Sequence, residues 1–150
     1  MEIDREGLEV LDRQECFRLL DHSGLGRIAV TSGALPMVFP VGYAMDGETI
    51  VCETGRGTPL EFATTGAVVG FEVDNLHELR HSGWTVMVTG VAEEVADNGE
   101  VARLRRLLPD RRSDGDERIV RISCEIVSGR RTHRHQRHGR SRPVRRSRSV

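Results

Sequence analysis

The chain has 150 residues, a length that suits one domain, and a formal net charge of −1 from 22 basic and 23 acidic side chains. All 22 bases are Arg, and nine of them fall in 128–150, which holds no acid, so an acidic body meets a basic tail. No apolar run nears the ~20 residues of a membrane helix. The acidic start MEIDREGLEV lacks the apolar stretch of a signal peptide, and three widely spaced Cys suit a reducing cytoplasm rather than a disulfide scaffold.

The first expected element is a helix. Asp12 and Glu15 have capping-box spacing, Leu11 and Cys16 can staple the start, and Cys16, Phe17, Leu19 and Leu20 form an apolar stripe. Gly24 and Gly26 end it. Strands follow over 26–31, 36–45 and 48–54, the last two joined by the hairpin signal Asp46-Gly47. Pro36 and Pro40 imply that the second starts, bulges or lies at an edge there. Thr58 as N-cap and Pro59 at the first helical position open a short helix that Gly66 closes.

A fourth strand covers 67–74, residues 75–82 connect, and a long strand covers 83–95. A short helix over 101–108 stops at Pro109, and a final strand spans 119–127. Six strands with hairpin signals and few helices predict a mainly β fold, a small antiparallel barrel with peripheral helices. From about Thr132 the chain has no apolar periodicity. The expected division is a domain over 1–131 and a disordered Arg-rich tail over 132–150.

Several groups offer chemistry. In TGRGTPL, residues 54–60, two glycines allow close approach and Thr58 and Arg56 supply a hydroxyl and a guanidinium, a phosphate cradle as well as an ordinary turn. His77-Glu78-Leu79-Arg80-His81 matches the zinc-protease pattern, but it sits in a strand connection with no long helix and reads as a solvated turn. No Ser has a nucleophile-elbow setting, and Cys52 and Cys124 belong to apolar strand patterns. Glu53 and Glu72 read as solvent-facing strand residues, and Trp84 as core packing or a stacking partner. With no nucleophile or acid–base pair standing out, an enzyme here would borrow a cofactor's chemistry. The tail's Arg could bind nucleic acid by counterion release, or be a simple solvated extension.

Taken together, ECFRLLDHSGLGRIAV, LPMVFPVGYAMDGETIVCETGRGTPL, VVGFEVD, SGWTVMVTGVAEEV and RIVRISCEIVSGRR resemble, in order, the pyridoxamine 5′-phosphate oxidase-like flavin-binding family. The small actinobacterial and nitroimidazole-resistance-type members are the nearest in pattern. The resemblance implies an FMN-binding six-stranded split β-barrel, a homodimer with the cofactor at its interface, and hydride transfer at the cofactor ring to or from a small-molecule substrate. It implies that Pro40, Val41, Gly42 and Tyr43 lie along the ring, that Thr54, Gly57 and Thr58 hold the phosphate, that Trp84 lies near the cofactor or partner subunit, and that Arg130 or Arg131 makes a further contact.

Two positions depart from the family's pattern. Pro59 stands where the turn usually has Lys, with Arg56 as a candidate replacement, and Gly42 stands where the ring strand usually has Asn. FMN is the expected cofactor, with a deazaflavin (coenzyme F-420) or haem as alternatives. The alternative function is a non-catalytic flavin- or haem-binding or sensing protein on the same fold, with an anion-binding basic tail, and no membrane partner is expected.

Overall fold

The computed structural model describes residues 1–58, 60–61, 65–77, 82–109 and 116–132. The elements in chain order are β1 (Glu2–Ile3), β2 (Leu8–Leu11), α1 (Arg13–His22), β3 (Leu25–Ser32), β4 (Leu35–Asp46) and β5 (Thr49–Gly55), then β6 (Ala67–His77), β7 (Ser82–Glu94), α2 (Asn98–Arg105), β8 (Glu117–Ser123) and β9 (Ile126–Thr132). The strands form one antiparallel sheet in the order β1-β2-β9-β7-β6-β3-β4-β5-β8, and a further β7–β8 pairing closes β3, β4, β5, β8, β7 and β6 into a ring of six. The mainly β, split-barrel class expected from the sequence is therefore the observed one.

The strand expected over 119–127 is two strands. β7 pairs through Trp84–Thr89 with β9 and through Ala92–Glu94 with β8, so its partner changes between these stretches. Gly90 sits at the change, where an added Cβ would lie 1.5 Å from Ser123 O. Val91 N–H donates to Ser123 Oγ at 3.0 Å, and Glu125 N–H donates to Thr89 O at 3.2 Å. The chain thus crosses β7 at its closest point, which splits the ring from β9. The connection expected over 75–82 is also shorter, because pairing continues through Asn75↔Trp84, Leu76↔Gly83 and His77↔Ser82. β1 and β2 were not expected. β2 is held by β9, through register pairs from Leu8↔Thr132 to Leu11↔Gly129, and β1 pairs with β2.

Local signals account for the ends of the elements. Asp12 caps α1 by accepting from Glu15 N–H at 2.8 Å, and Asp97 caps α2 by accepting from Glu100 N–H at 2.8 Å. The β4–β5 hairpin turns on Gly47, φ +59. The β3–β4 hairpin turns on Gly33 and Ala34, at φ +54 and +65, so both central residues are left-handed. β5 pairs with β4 only over Tyr43–Asp46, which leaves the other edge of β4 open at Pro36 and Pro40. β9 runs one residue past 131, to Thr132, and the stretch 133–150 lies outside the described residues.

The ring's interior is filled by Ile28, Val30, Val41, Tyr43, Ile50, Cys52, Phe71, Val73, Val86, Val88, Val120 and Ile122, with Cys16, Leu19 and Leu20 of α1 at one end. A second small cluster, Val51, Val95, Leu104 and Ile119, lies under α2 on the outer side. β5 is therefore covered on both faces, which explains its unbroken apolar run Ile50-Val51-Cys52. All three Cys are buried and free, and burial pushes the Cys52 thiol up to about 12.

Tyr43 ties α1 to the sheet. Its ring packs edge-on against Phe71 at 5.1 Å, and its hydroxyl donates to Leu20 O at 2.5 Å. Burial pushes this phenol up to about 12.

Two stability predictions result. Ala34→Gly relieves a left-handed residue that costs about 1–2 kcal/mol, against an unfolded-state entropy loss below about 1 kcal/mol. Its urea unfolding free energy is expected to rise by about 0.5–1 kcal/mol. Tyr43→Phe removes the tie to Leu20 and is expected to lower the same quantity by about 1 kcal/mol.

Candidate functional site

The turn after β5 carries the expected phosphate groups, and Gly57, Thr58 and Arg56 each meet a partner within the chain. Thr58 Oγ1 donates to Gly55 O at 2.7 Å and accepts from Glu61 N–H at 3.3 Å, as an N-cap does. Leu60 and Glu61 are helical, while Pro59 and residues 62–64 lie outside the described residues. Gly57, at φ +72, turns its N–H toward the Glu61 carboxylate and donates to Oε2. The same carboxylate meets Arg118 from β8, with Oε1 2.8 Å from Nε, an ion pair that misses hydrogen-bond alignment. Arg118 Nη1 also donates to Glu94 Oε2 at 2.7 Å. Arg56 lies 3.4 Å from Asp116, and both side chains are more than half exposed.

Thr54 is buried opposite Arg118 across the β5–β8 ladder, and its Oγ1 has no hydrogen-bond partner among the described residues. Arg118 was not singled out from the sequence. The signal was present, because Arg118, Val120 and Ile122 alternate on the inner side of β8, and an inward Arg at a strand end needs a partner.

The expected ring strand divides between two faces. Val41 and Tyr43 point into the core, so the Tyr43 side chain is a packing residue; Pro40 and Gly42 face outward. Beside Pro40 lies a cleft of about 270 Å³ lined also by Ser23, Gly24, Leu25, Gly26, Arg27 and Asp74. Arg27 Nη1 bridges Glu72 Oε2 and Asp74 Oδ2, each at 2.8 Å, and Thr85 Oγ1 donates to Glu72 Oε1 at 3.1 Å. Burial, with Asp74 alongside, raises the Glu72 carboxyl above its ordinary value. Glu72 is thus the hub of a polar cluster rather than a free solvated side chain.

Glu53 also departs from expectation. It lies beside Gly42, one step along the β4–β5 ladder from the Tyr43↔Cys52 pair. Its side chain is only 12% exposed, because Arg105 and the segment after α2 cover it. Arg105 Nε lies 3.2 Å from Glu53 Oε1, while burial and the nearby Glu117 raise the Glu53 carboxyl.

Trp84 and Arg130 lie elsewhere. Trp84 is half-buried at the start of β7, opposite Arg131 and against the main core. Arg130 Nε donates to Asp4 Oδ2 at 2.9 Å, and Arg131 pairs with Glu15. Hydrogen bonds from Arg18 and Arg131 hold the Glu15 carboxyl down at about 2. The phosphate turn reaches β7 at its other end, through Glu94, on the order of 30 Å from Trp84 along the strand. One chain therefore brings Gly42 beside Glu53, on the strand that leads into the turn, but leaves Trp84 and Arg130 apart from it.

The zinc-protease pattern forms no metal site among the described residues. His77 is the exposed last residue of β6, and 78–81 lie outside them. No described helix is long and apolar enough to cross a membrane.

Comparison with known proteins matches this architecture. The uncharacterised protein Rv0080 of Mycobacterium tuberculosis is 38% identical over 130 residues, covering 83% of this chain and 85% of that protein. The solved FAD binding protein of Mycobacterium smegmatis is 31% identical with a TM-score of 0.70, covering 82% of this chain and 96% of the other. A conserved Corynebacterium diphtheriae protein of unknown function is 26% identical with a TM-score of 0.72, covering 84% and 98%. The family model described as pyridoxamine 5′-phosphate oxidase matches residues 12–131, from the cap of α1 to the Arg pair of β9. The chain belongs to the pyridoxamine 5′-phosphate oxidase family.

Proposed function

We propose that this protein binds a flavin between two copies of itself and serves as a flavin-dependent oxidoreductase for a small molecule. The observation that carries the reading is the outer face of the β4-β3-β6-β7-β9 sheet. Leu25, Val38, Val68, Leu76, Met87 and Ile126 all lie on it, each at least 58% exposed. Exposed apolar surface gathered on one face marks an association site, and a two-fold copy is the commonest occupant. The cleft beside Pro40 opens on this face, and its 270 Å³ is below the roughly 300–1,000 Å³ of a complete small-molecule pocket. A second copy would enlarge it and could supply the distant Trp84 and Arg130.

Family membership supports a flavin, as does the likeness to the M. smegmatis FAD binding protein. The family alone does not name the substrate. The ring end of the site suits a planar ligand, with Pro40 and the side-chain-free Gly42 facing outward. The phosphate end does not suit a phosphate as it stands, because Gly57 N–H and Arg118 hold Glu61 and Arg56 holds Asp116. A bound flavin would supply the redox chemistry; the chain's part is placement and exclusion of water.

Purified full-length protein titrated with FAD, FMN, coenzyme F-420 and haem, followed by absorbance, tests the reading. Saturable flavin binding tighter than about 100 μM, roughly −5.5 kcal/mol, is expected. Absence of any flavin binding overturns it, and flavin bound without turnover by reductants and acceptors leaves the non-catalytic alternative. Met87→Arg, placed on the apolar face, is expected to convert a dimer into a monomer in sedimentation and to weaken flavin binding at least tenfold. A wild-type monomer that binds flavin at full affinity would remove the two-copy site.

A further inference from the structure

The turn after β5 already holds an anion, and that anion belongs to the chain. Gly57 N–H and the Arg118 guanidinium converge on the Glu61 carboxylate. A backbone N–H from a left-handed glycine together with a guanidinium is the donor set that binds a phosphate oxygen. Arg118 comes from β8 and is held in place by Glu94 on β7, so the site rests on two strands of the ring as well as the turn.

The local charge balance argues the same way. Among the described residues, two guanidinium groups, Arg56 and Arg118, pair with three carboxylates, Glu61, Glu94 and Asp116. A terminal phosphate carries about −1.5 to −2 at neutral pH. It would enter a turn whose described ion pairs already hold more carboxylates than guanidinium groups, and it could reach Gly57 N–H only by displacing Glu61. Behind these groups, Thr54 Oγ1 is 99% buried with its residue and lacks a partner among the described residues, a hydroxyl still able to donate to an anion placed there.

We propose that Glu61 determines ligand specificity at this turn: its carboxylate occupies the place of a ligand's terminal phosphate, so the protein takes a flavin ring without drawing affinity from a phosphomonoester. The inference rests on the flavin reading for its ligand, but the occupied turn is a separate feature. Removing the charge of Glu61 while keeping its shape would free Gly57 N–H and Arg118 for phosphate.

The test compares riboflavin, which has no phosphate, with FMN on the full-length protein and on Glu61→Gln. Wild type is expected to bind the two within about threefold of each other. In Glu61→Gln, FMN is expected to gain at least tenfold while riboflavin stays within twofold. Wild type that binds FMN tenfold or more above riboflavin overturns the proposal, and so does a Glu61→Gln ratio equal to that of wild type. Inorganic phosphate supplies an arm that needs no flavin: 50 mM phosphate, against chloride of equal ionic strength, is expected to raise the melting temperature of Glu61→Gln but not of wild type. An equal response of both proteins overturns the proposal even if neither binds flavin, a result that would separately remove the flavin reading. Glu61→Ser serves the same comparisons should the Gln variant fail to fold.

Discussion

The close approach of Gly90 to Ser123 is the constraint on which the rest of the fold depends. β7 can pair with β8 along one stretch and β9 along the other only if the chain joining those strands passes directly over it. A side chain at position 90 would collide with the Ser123 carbonyl. With the crossing made, β8 closes the ring against β5, and β9 is free to collect β2 and β1. The same crossing fixes the site. It sends Arg118 to the end of the ring where β5 ends, and Arg130 and Arg131 to the opposite end, beside Trp84.

An Arg-only chain uses its cations as connectors between separate elements. Arg103 joins α2 to the β4–β5 hairpin through Asp46, Arg130 joins β9 to the N-terminal segment through Asp4, and Arg27 joins β3 to β6 through Glu72 and Asp74. The planar guanidinium allows one side chain to hold two carboxylates, as Arg27 and Arg118 do. Exposed pairs of this kind contribute little each, about 0–1 kcal/mol. Their main effect here is positional, and its consequence for function is that the described cations at the turn, Arg56 and Arg118, are already paired with carboxylates.

The fold was more legible than the site. Alternation along β3, β6 and β7 and the Asp12 cap are local signals, set by side-chain period and by the first turn of a helix. The divided last strand was not legible, since 119–127 reads as continuous apolar alternation and the break depends on where β7 passes. Glu53 shows the same limit for the site. On a strand with outward polar residues it reads as solvated, but Arg105, far along the chain, folds over it. Tyr43 fits a ring-contacting strand by position and is turned inward by the pleat.

By itself the sequence determined the strand periodicity, the caps, the hairpin at Asp46-Gly47 and the ordered set of motifs that marks the family. These depend on neighbours within a few residues, or on segments compared one at a time. The tertiary structure alone decided which charges meet: Glu61 with Arg118, Glu53 with Arg105, Arg27 with Glu72 and Asp74. Those pairings follow from ring closure and register, which bring distant residues within ångströms and leave Trp84 a strand's length from the phosphate turn.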